Sequence, residues 1–420
     1  MVTRRHFLSA GVALAAASTF GRFFQIASAQ PKGPAQNLII VFNYGGWDPT
    51  LVFDPKEPST TVNVAQGRVK QYNDLSIWTD STRPAIDTYF QRWGSISAVV
   101  NGIAVRSLVH EECVEQVLTG VSLEKKPDIG AVIASKLKEK APVPYLTLGA
   151  QAQPRELAPL AAEFGFTNQL SSLAVPDYAY PKLGSQEQHH GFGPSKDEQQ
   201  WVKQYLSNSQ ADYAKNHGKQ GRNGKRIDDF ANSSQRADRL ATFLNHSSIA
   251  EPKVVFRFSE KYPMAVQALQ ENFSNVVFMQ TDGWDTHSNV AQQEPMMNDL
   301  FTGLNGLMNS LHKNKMLDST MVLVLSEMGR TPRMNNEKGK DHWPFTSAML
   351  VGGAVRGGHH YGVTDPELYP LPIDLKTGKA TKSGGTSLRT THLLSAVMKL
   401  MGLDPATHFH QKDMLQAVIG

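Results

Sequence analysis

The chain reads as an α/β protein, built on a mainly parallel sheet with helices covering both faces. Two patterns lead there. Continuous apolar, β-branched runs such as Leu38-Ile39-Ile40-Val41-Phe42 lack polar alternation, as strands buried on both sides do. Between several such runs lie helical stripes, and strands alternating with helices make the crossovers of a parallel sheet.

Taken in order, residues 1–29 read as an address. Arg4-Arg5 stands before an apolar stretch from Ala10 to Phe20, and Ala27-Ser28-Ala29 supplies the small residues of a cleavage site. This suits a twin-arginine signal, with a Sec signal or an uncleaved N-terminal helix as alternatives. The expected location is periplasmic or secreted, and the expected partner is the twin-arginine export machinery. That route carries folded proteins, commonly with a cofactor in place. No other stretch approaches the ~20 apolar residues of a membrane span.

Residues 30–420 are expected to form one domain, since no internal repeat is visible. Strand-like runs follow at Ile96 to Val100, Tyr145 to Leu148, Asn275 to Met279, Met321 to Leu325 and Ala348 to Val351. One helical stripe holds Met296, Leu300, Leu304, Leu307 and Leu311; another runs from Leu388 to Met401 and stops at Gly402. Two polar segments, near 185–226 and 366–385, read as surface insertions, the first carrying one or two helices.

Charge and cysteine usage exclude several classes. The formal charge is +4; loss of Arg4, Arg5 and Arg22 with an acid-free leader lowers it to +1. That makes no case for nucleic acid or an anionic membrane. The basic turn 218–225 holds no aromatic residue for base stacking. The single cysteine, Cys113, excludes an internal disulfide framework and reads as a buried residue one turn into a helix.

The chemistry lies in three short motifs, each beginning where an apolar run ends. Asn43-Tyr44-Gly45-Gly46-Trp47-Asp48 follows the first strand and offers Asp48, which can also serve as a helix cap. In Asp282-Gly283-Trp284-Asp285-Thr286-His287, Asp285 and His287 are two apart and share one side of an extended segment. Ser326-Glu327-Met328-Gly329-Arg330-Thr331-Pro332 leads to Asp341-His342-Trp343-Pro344. Carboxylates and imidazoles on loops at strand ends are how an α/β fold assembles a cation site. Arg330 can clamp a tetrahedral oxyanion or pair with Glu327. His359-His360 stands outside this core set.

Together these motifs resemble an exported bacterial family of unknown function within the alkaline phosphatase and sulfatase superfamily. The resemblance implies a doubly wound α/β fold with one or two divalent ions (zinc, manganese, calcium or magnesium) at the strand carboxyl ends. Asp48 then matches the strand-one aspartate, Asp285 and His287 the central box, and Glu327 the late turn's aspartate, with His342 the candidate for the last histidine; where the late turn departs from the family, either Asp341 compensates or one metal site is lost. Two departures stand out. Met328 replaces the late turn's histidine, and a thioether suits a hard dication poorly. In the segment from His110 to Gly120, which keeps the sulfatase Leu-Thr-Gly ending, His110 occupies the nucleophile position. It can act as ligand, base or nucleophile, and a metal-activated water would replace a protein nucleophile. The implied activity is hydrolysis of a phosphate or sulfate ester. A non-catalytic binding or assembly protein with a residual metal or anion site is the alternative.

Overall fold

The computed structural model describes residues 33–121, 124–137, 141–164, 195–218, 221–246, 257–409 and 413–420. The expected signal segment 1–29 and part of the first insertion, 185–194 and 219–220, lie outside them. In chain order the strands are β1 (Asn37–Asn43), β2 (Arg68–Tyr72), β3 (Leu75–Thr79), β4 (Ser97–Ala104), β5 (Tyr145–Leu148), β6 (Ala161–Glu163), β7 (Val276–Thr281), β8 (Thr320–Leu325), β9 (Gly329–Arg330), β10 (His342–Trp343), β11 (Phe345–Val351) and β12 (His359–Tyr361). The helices are α1 (Pro84–Trp93), α2 (His110–Thr119), α3 (Ile129–Lys136), α4 (Lys196–His217), α5 (Gly221–His246), α6 (Phe258–Gln270), α7 (Gln293–Lys313) and α8 (Thr390–Leu400).

The described residues cluster into two compact units. The first holds those within 33–35, 43–122 and 282–420; the second holds those within 36–42 and 123–281. In the second unit the strands lie in the order β1-β7-β5-β6, with β5 parallel to both β6 and β7. In the first the order is β12-β4-β11-β8. There β12 runs parallel to β4, while β11 is antiparallel to both β4 and β8. The architecture is α/β with mainly parallel pairing, and β11 is the exception. It follows β8 after the β9–β10 ribbon, with no crossover helix between, so it returns in the opposite direction.

The apolar runs became strands for the expected reason: β4, β5 and β8 are buried along their whole length. Helix α7 buries Met297, Leu300, Leu304, Leu307 and Leu311, so Met297 replaces the expected Met296 on the inner stripe. Down from Leu311 the steps alternate four, three and four to reach Leu300, and the next step of three lands on Met297. The β2–β3 hairpin, unread in the sequence, turns at Asn73, whose φ of +56° is tolerated best by Asn and Gly. Within the first insertion, α4 opens with a capping box between Ser195 and Glu198, and α5 follows. Both fit the helices expected there. The second insertion is held down by buried Ile373, bridged to Ala380 and Thr386. No helix among the described residues is long and apolar enough to cross a membrane.

What positions the site is a set of turns at the ends of β1, β4, β7 and β8, locked by a buried ion pair. Lys340 Nζ lies 2.7 Å from Asp48 Oδ2, with side chains 2 % and 3 % exposed. The other Asp48 oxygen accepts from the Thr50 amide (3.0 Å) and hydroxyl (2.7 Å), capping a short 3₁₀ turn. Lys340→Met would leave this carboxylate buried without its cation and should cost about 3–5 kcal/mol in a denaturant titration. A loss near 1 kcal/mol, typical of an exposed pair, would mean that water reaches Asp48. Cys113 sits fully buried in α2, and burial pushes its thiol up to about 12. On the order of one thiol in ten thousand would then be ionised at pH 8. A disulfide reagent should leave the folded protein unmodified and label one thiol after unfolding; labelling of the folded protein would show an open path to Cys113.

Candidate metal centre

Three imidazoles converge on one carboxylate. His110 is the first residue of α2, after β4; Asp285 and His287 follow β7; His342 lies in β10, paired with Arg330 of β9. Asp285 Oδ1 is 3.1 Å from His287 Nε2 and 3.4 Å from His342 Nε2, and these two nitrogens are 2.9 Å apart. Asp285 Oδ2 is 3.5 Å from His110 Nε2. His110, Asp285 and His342 bring one potential ligand atom each within 4.8 Å of one another. The His110 and His287 rings both lie 4.5 Å from that of His342.

Each histidine is oriented through its other nitrogen. His110 Nδ1 is 2.8 Å from Glu327 Oε1, His287 Nδ1 is 3.1 Å from Asp341 Oδ1, and His342 Nδ1 is 2.7 Å from the Leu108 carbonyl oxygen. An acceptor at Nδ1 fixes the proton there and leaves the Nε2 lone pair free. Three such lone pairs then face Asp285. His110 Nε2 is buried and has no hydrogen-bond partner. His287 Nε2 and His342 Nε2, 2.9 Å apart beside the Asp285 carboxylate, leave room between them for a shared proton or for a bound cation. His110, Asp285 and His342 form a group that could hold a metal ion.

The surroundings shift these groups in opposite senses. The hydrogen bond to Glu327 raises the His110 pKa against the opposing effect of burial. Burial lowers that of His342. Burial alone would raise the Asp285 pKa, but the Arg330 guanidinium, at 2.6 Å, outweighs it and holds Asp285 below the usual range. The hydrogen bond from His287 lowers that of Asp341, with Asn335 Nδ2 adding a second at 3.0 Å.

Arg330 is the peg of the site. It is fully buried, and each of its three nitrogens is engaged. Nε donates to the Gly46 carbonyl (2.8 Å), Nη1 to that of Lys340 (3.0 Å), and Nη2 to Asp285, Trp284 O (3.2 Å) and Gly45 O. Glu327 is likewise fully buried, accepting from the Gly45 amide (2.7 Å) and from Ser326 Oγ (3.0 Å). Gly45 packs so closely on the backbone of Trp284 and Asp285 that a Cβ would collide, and its φ of +123° suits only glycine. Gln293 joins the first two motifs: it accepts from the Asp48 amide (2.7 Å) and donates to Gly46 O, Trp284 O and Thr286 Oγ1.

Of the residues singled out in the sequence, His110, Asp285, His287 and His342 thus face a common point. Glu327 and Asp341 stand one layer out, bonded to histidines. Asp48, expected as a ligand, spends its carboxylate on Lys340 and Thr50 as a buried structural group. Arg330, expected to clamp an oxyanion, is sealed beneath the site and grips Asp285. Met328 is fully buried. His360, from the pair left aside, lies 3.0 Å from both amide nitrogen and carbonyl oxygen of Ser76, tying β12 to β3. Nothing in the sequence pointed to Gln293. Lys340 was hidden in a Lys-Gly-Lys turn that reads as solvated.

Among curated proteins none matches the chain. Solved structures with weak likeness include Ps i-CgsB (11 % identity, 91 % of this chain and 75 % of that one, TM-score 0.41). The lipoteichoic acid synthase of Listeria monocytogenes is 10 % identical, with 93 % and 78 % covered and a TM-score of 0.40. The alkaline phosphatase of the Antarctic bacterium TAB5 is 11 % identical, with 88 % and 99 % covered and a TM-score of 0.37. At such TM-scores the likeness says nothing about ligands or substrates. A family model does match, over residues 35–417: the chain belongs to the DUF1501 family, proteins of unknown function.

Proposed function

We propose that this protein is an exported, metal-dependent ester hydrolase that holds a single divalent ion on His110, Asp285, His287 and His342. The observation that carries the reading is the convergence of three Nε2 atoms on Asp285 while every Nδ1 is bonded outward. Donor spacings of 2.9–3.5 Å support one ion. A second ion, at the ~3.5–4 Å of a two-metal site, would need further carboxylates, and Asp48, Glu327 and Asp341 are already engaged. Passage through the twin-arginine machinery to the periplasm and the doubly wound fold of the alkaline phosphatase and sulfatase superfamily belong to the same reading. Both are supported by the leader and the motif order.

A divalent cation held there supplies Lewis acidity that makes water nucleophilic near neutral pH and polarises an ester oxygen. The chain's own residues hold that chemistry in place. Glu327 and Asp341 keep the protons of His110 and His287 on Nδ1, presenting Nε2 inward. Arg330 keeps Asp285 ionised and fixed. His110 stands where the superfamily resemblance places a nucleophile; as a ligand it leaves that role to water. The same resemblance brings phosphate and sulfate esters into the substrate panel.

Protein taken from the periplasm with residues 1–29 removed should carry stoichiometric zinc, manganese or iron by elemental analysis. Asp285→Ala should lose both the metal and ester hydrolysis while remaining folded. A metal-free protein that stays so when titrated with these ions would overturn the site; full occupancy with no turnover on any ester would reduce it to a structural metal centre. Glu327→Gln should weaken metal binding by about 10–100-fold, the usual effect of losing a carboxylate behind a histidine ligand. Unchanged affinity would mean that Glu327 serves only the fold.

A further inference from the structure

We infer that this site takes neutral esters, a carboxylic ester with an apolar substituent being the simplest case, and discriminates against substrates that carry negative charge. The inference rests on the metal-hydrolase reading and deepens it.

The first ground is that the two cations of the motifs, Arg330 and Lys340, are buried and already paired. Enzymes that bind phosphate or sulfate monoesters set arginine or lysine forks against the oxyanion. Here the two cations built into the motifs are both used up. Arg330 is buried under four backbone carbonyls and Asp285, and Lys340 is buried against Asp48. A dication together with Arg330 would be matched in charge by Asp285, Glu327 and Asp341, with nothing left over for an anionic substrate.

The second ground is the charge of the approach. Glu111, in the first turn of α2, and Asp282 are exposed. With Glu327 and Asp285 they act on the Tyr44 phenol, which lies beside the cluster with its ring 5.5 Å from that of His110. Arg106, Arg333 and Lys338 are exposed in adjoining loops, and the leading charges acting on the Tyr44 phenol are the carboxylates of Glu327, Glu111, Asp285 and Asp282. A substrate approaching these groups meets carboxylates, which repel anions.

The third ground is apolar. Leu108 and Val109 are each 51 % exposed immediately before His110. The Leu108 carbonyl accepts from His342 Nδ1, so this lip is anchored to the cluster. Exposed aliphatic side chains at the edge of a polar site offer contact for an acyl or alcohol chain. In the reaction, the oxygen of water bonds to the acyl carbon, the ester C–O bond breaks, the leaving oxygen keeps the bond pair and takes one water proton, and the second proton goes to solvent.

The test uses 4-nitrophenyl acetate and the 4-nitrophenyl half-ester of succinate, which share a leaving group and differ by one CH2–carboxylate unit, each rate taken above the spontaneous hydrolysis of the ester. With metal-loaded full-length protein at low ionic strength, kcat/KM for the acetate should exceed that for the succinate by about tenfold, a gap that salt should shrink. Glu111→Gln combined with Asp282→Asn should raise the succinate value and leave the acetate value unchanged. Equal turnover of the two esters, or a succinate preference, would overturn the inference. If metal binds but neither ester turns over, the hydrolase reading fails separately. Calorimetry on the zinc-loaded protein then decides the charge preference: imidazole binding tighter than inorganic phosphate supports it, and the reverse order sinks it.

Discussion

Asp285 can stand at the centre of three imidazoles because the Arg330 guanidinium reaches it from below. Arg330 in turn stays buried because carbonyls of Gly45, Gly46, Trp284 and Lys340 surround it. An unpaired guanidinium in that position would cost several kcal/mol; with its nitrogens engaged it joins three loops that are distant in sequence. The site is therefore a property of the loop junction. The Asp48–Lys340 pair and the Gln293 amide perform the same service on the other side of Gly46, so the first motif is fixed twice before any histidine is considered.

This junction explains how the motifs divide their work. Residues that look equivalent in a list of possible ligands differ in what lies behind them. Asp285 is about half exposed and faces nitrogens, whereas Glu327 is buried and faces amide, hydroxyl and imidazole donors. A buried carboxylate must be satisfied by donors, and those donors orient His110. The outer layer of Glu327, Asp341 and the Leu108 carbonyl sets the proton positions on which the inner layer depends.

Much of the fold could be read from the sequence. Strands buried on both faces, such as those containing Val41, Val99 and Leu323, have continuous apolar runs, and α7 shows its stripe with a one-residue displacement at Met297. The site was legible as far as its motifs: the turns after β1, β7 and β8 do meet. Which member of each motif faces inward was not. Asp48 and Arg330 have the chemistry of a ligand and an oxyanion clamp, and their removal into the core depends on Lys340, 292 residues from Asp48, and on the Gly45 and Gly46 carbonyls, 285 and 284 residues from Arg330. The β2–β3 hairpin was missed because Val69 and Tyr72 are three apart and share no face of a strand, while Arg68, Lys70 and Gln71 around them are polar.

Gly339 packs against the His287 carbonyl with no room for a Cβ, holding the Asp341 turn to the central box. The four inward-facing groups, from His110 to His342, are thus brought into register only when these turns have closed on one another. An unfolded chain has no comparable pocket, so a cation would be captured as the loops assemble. Whichever compartment folds the protein would then also select its metal.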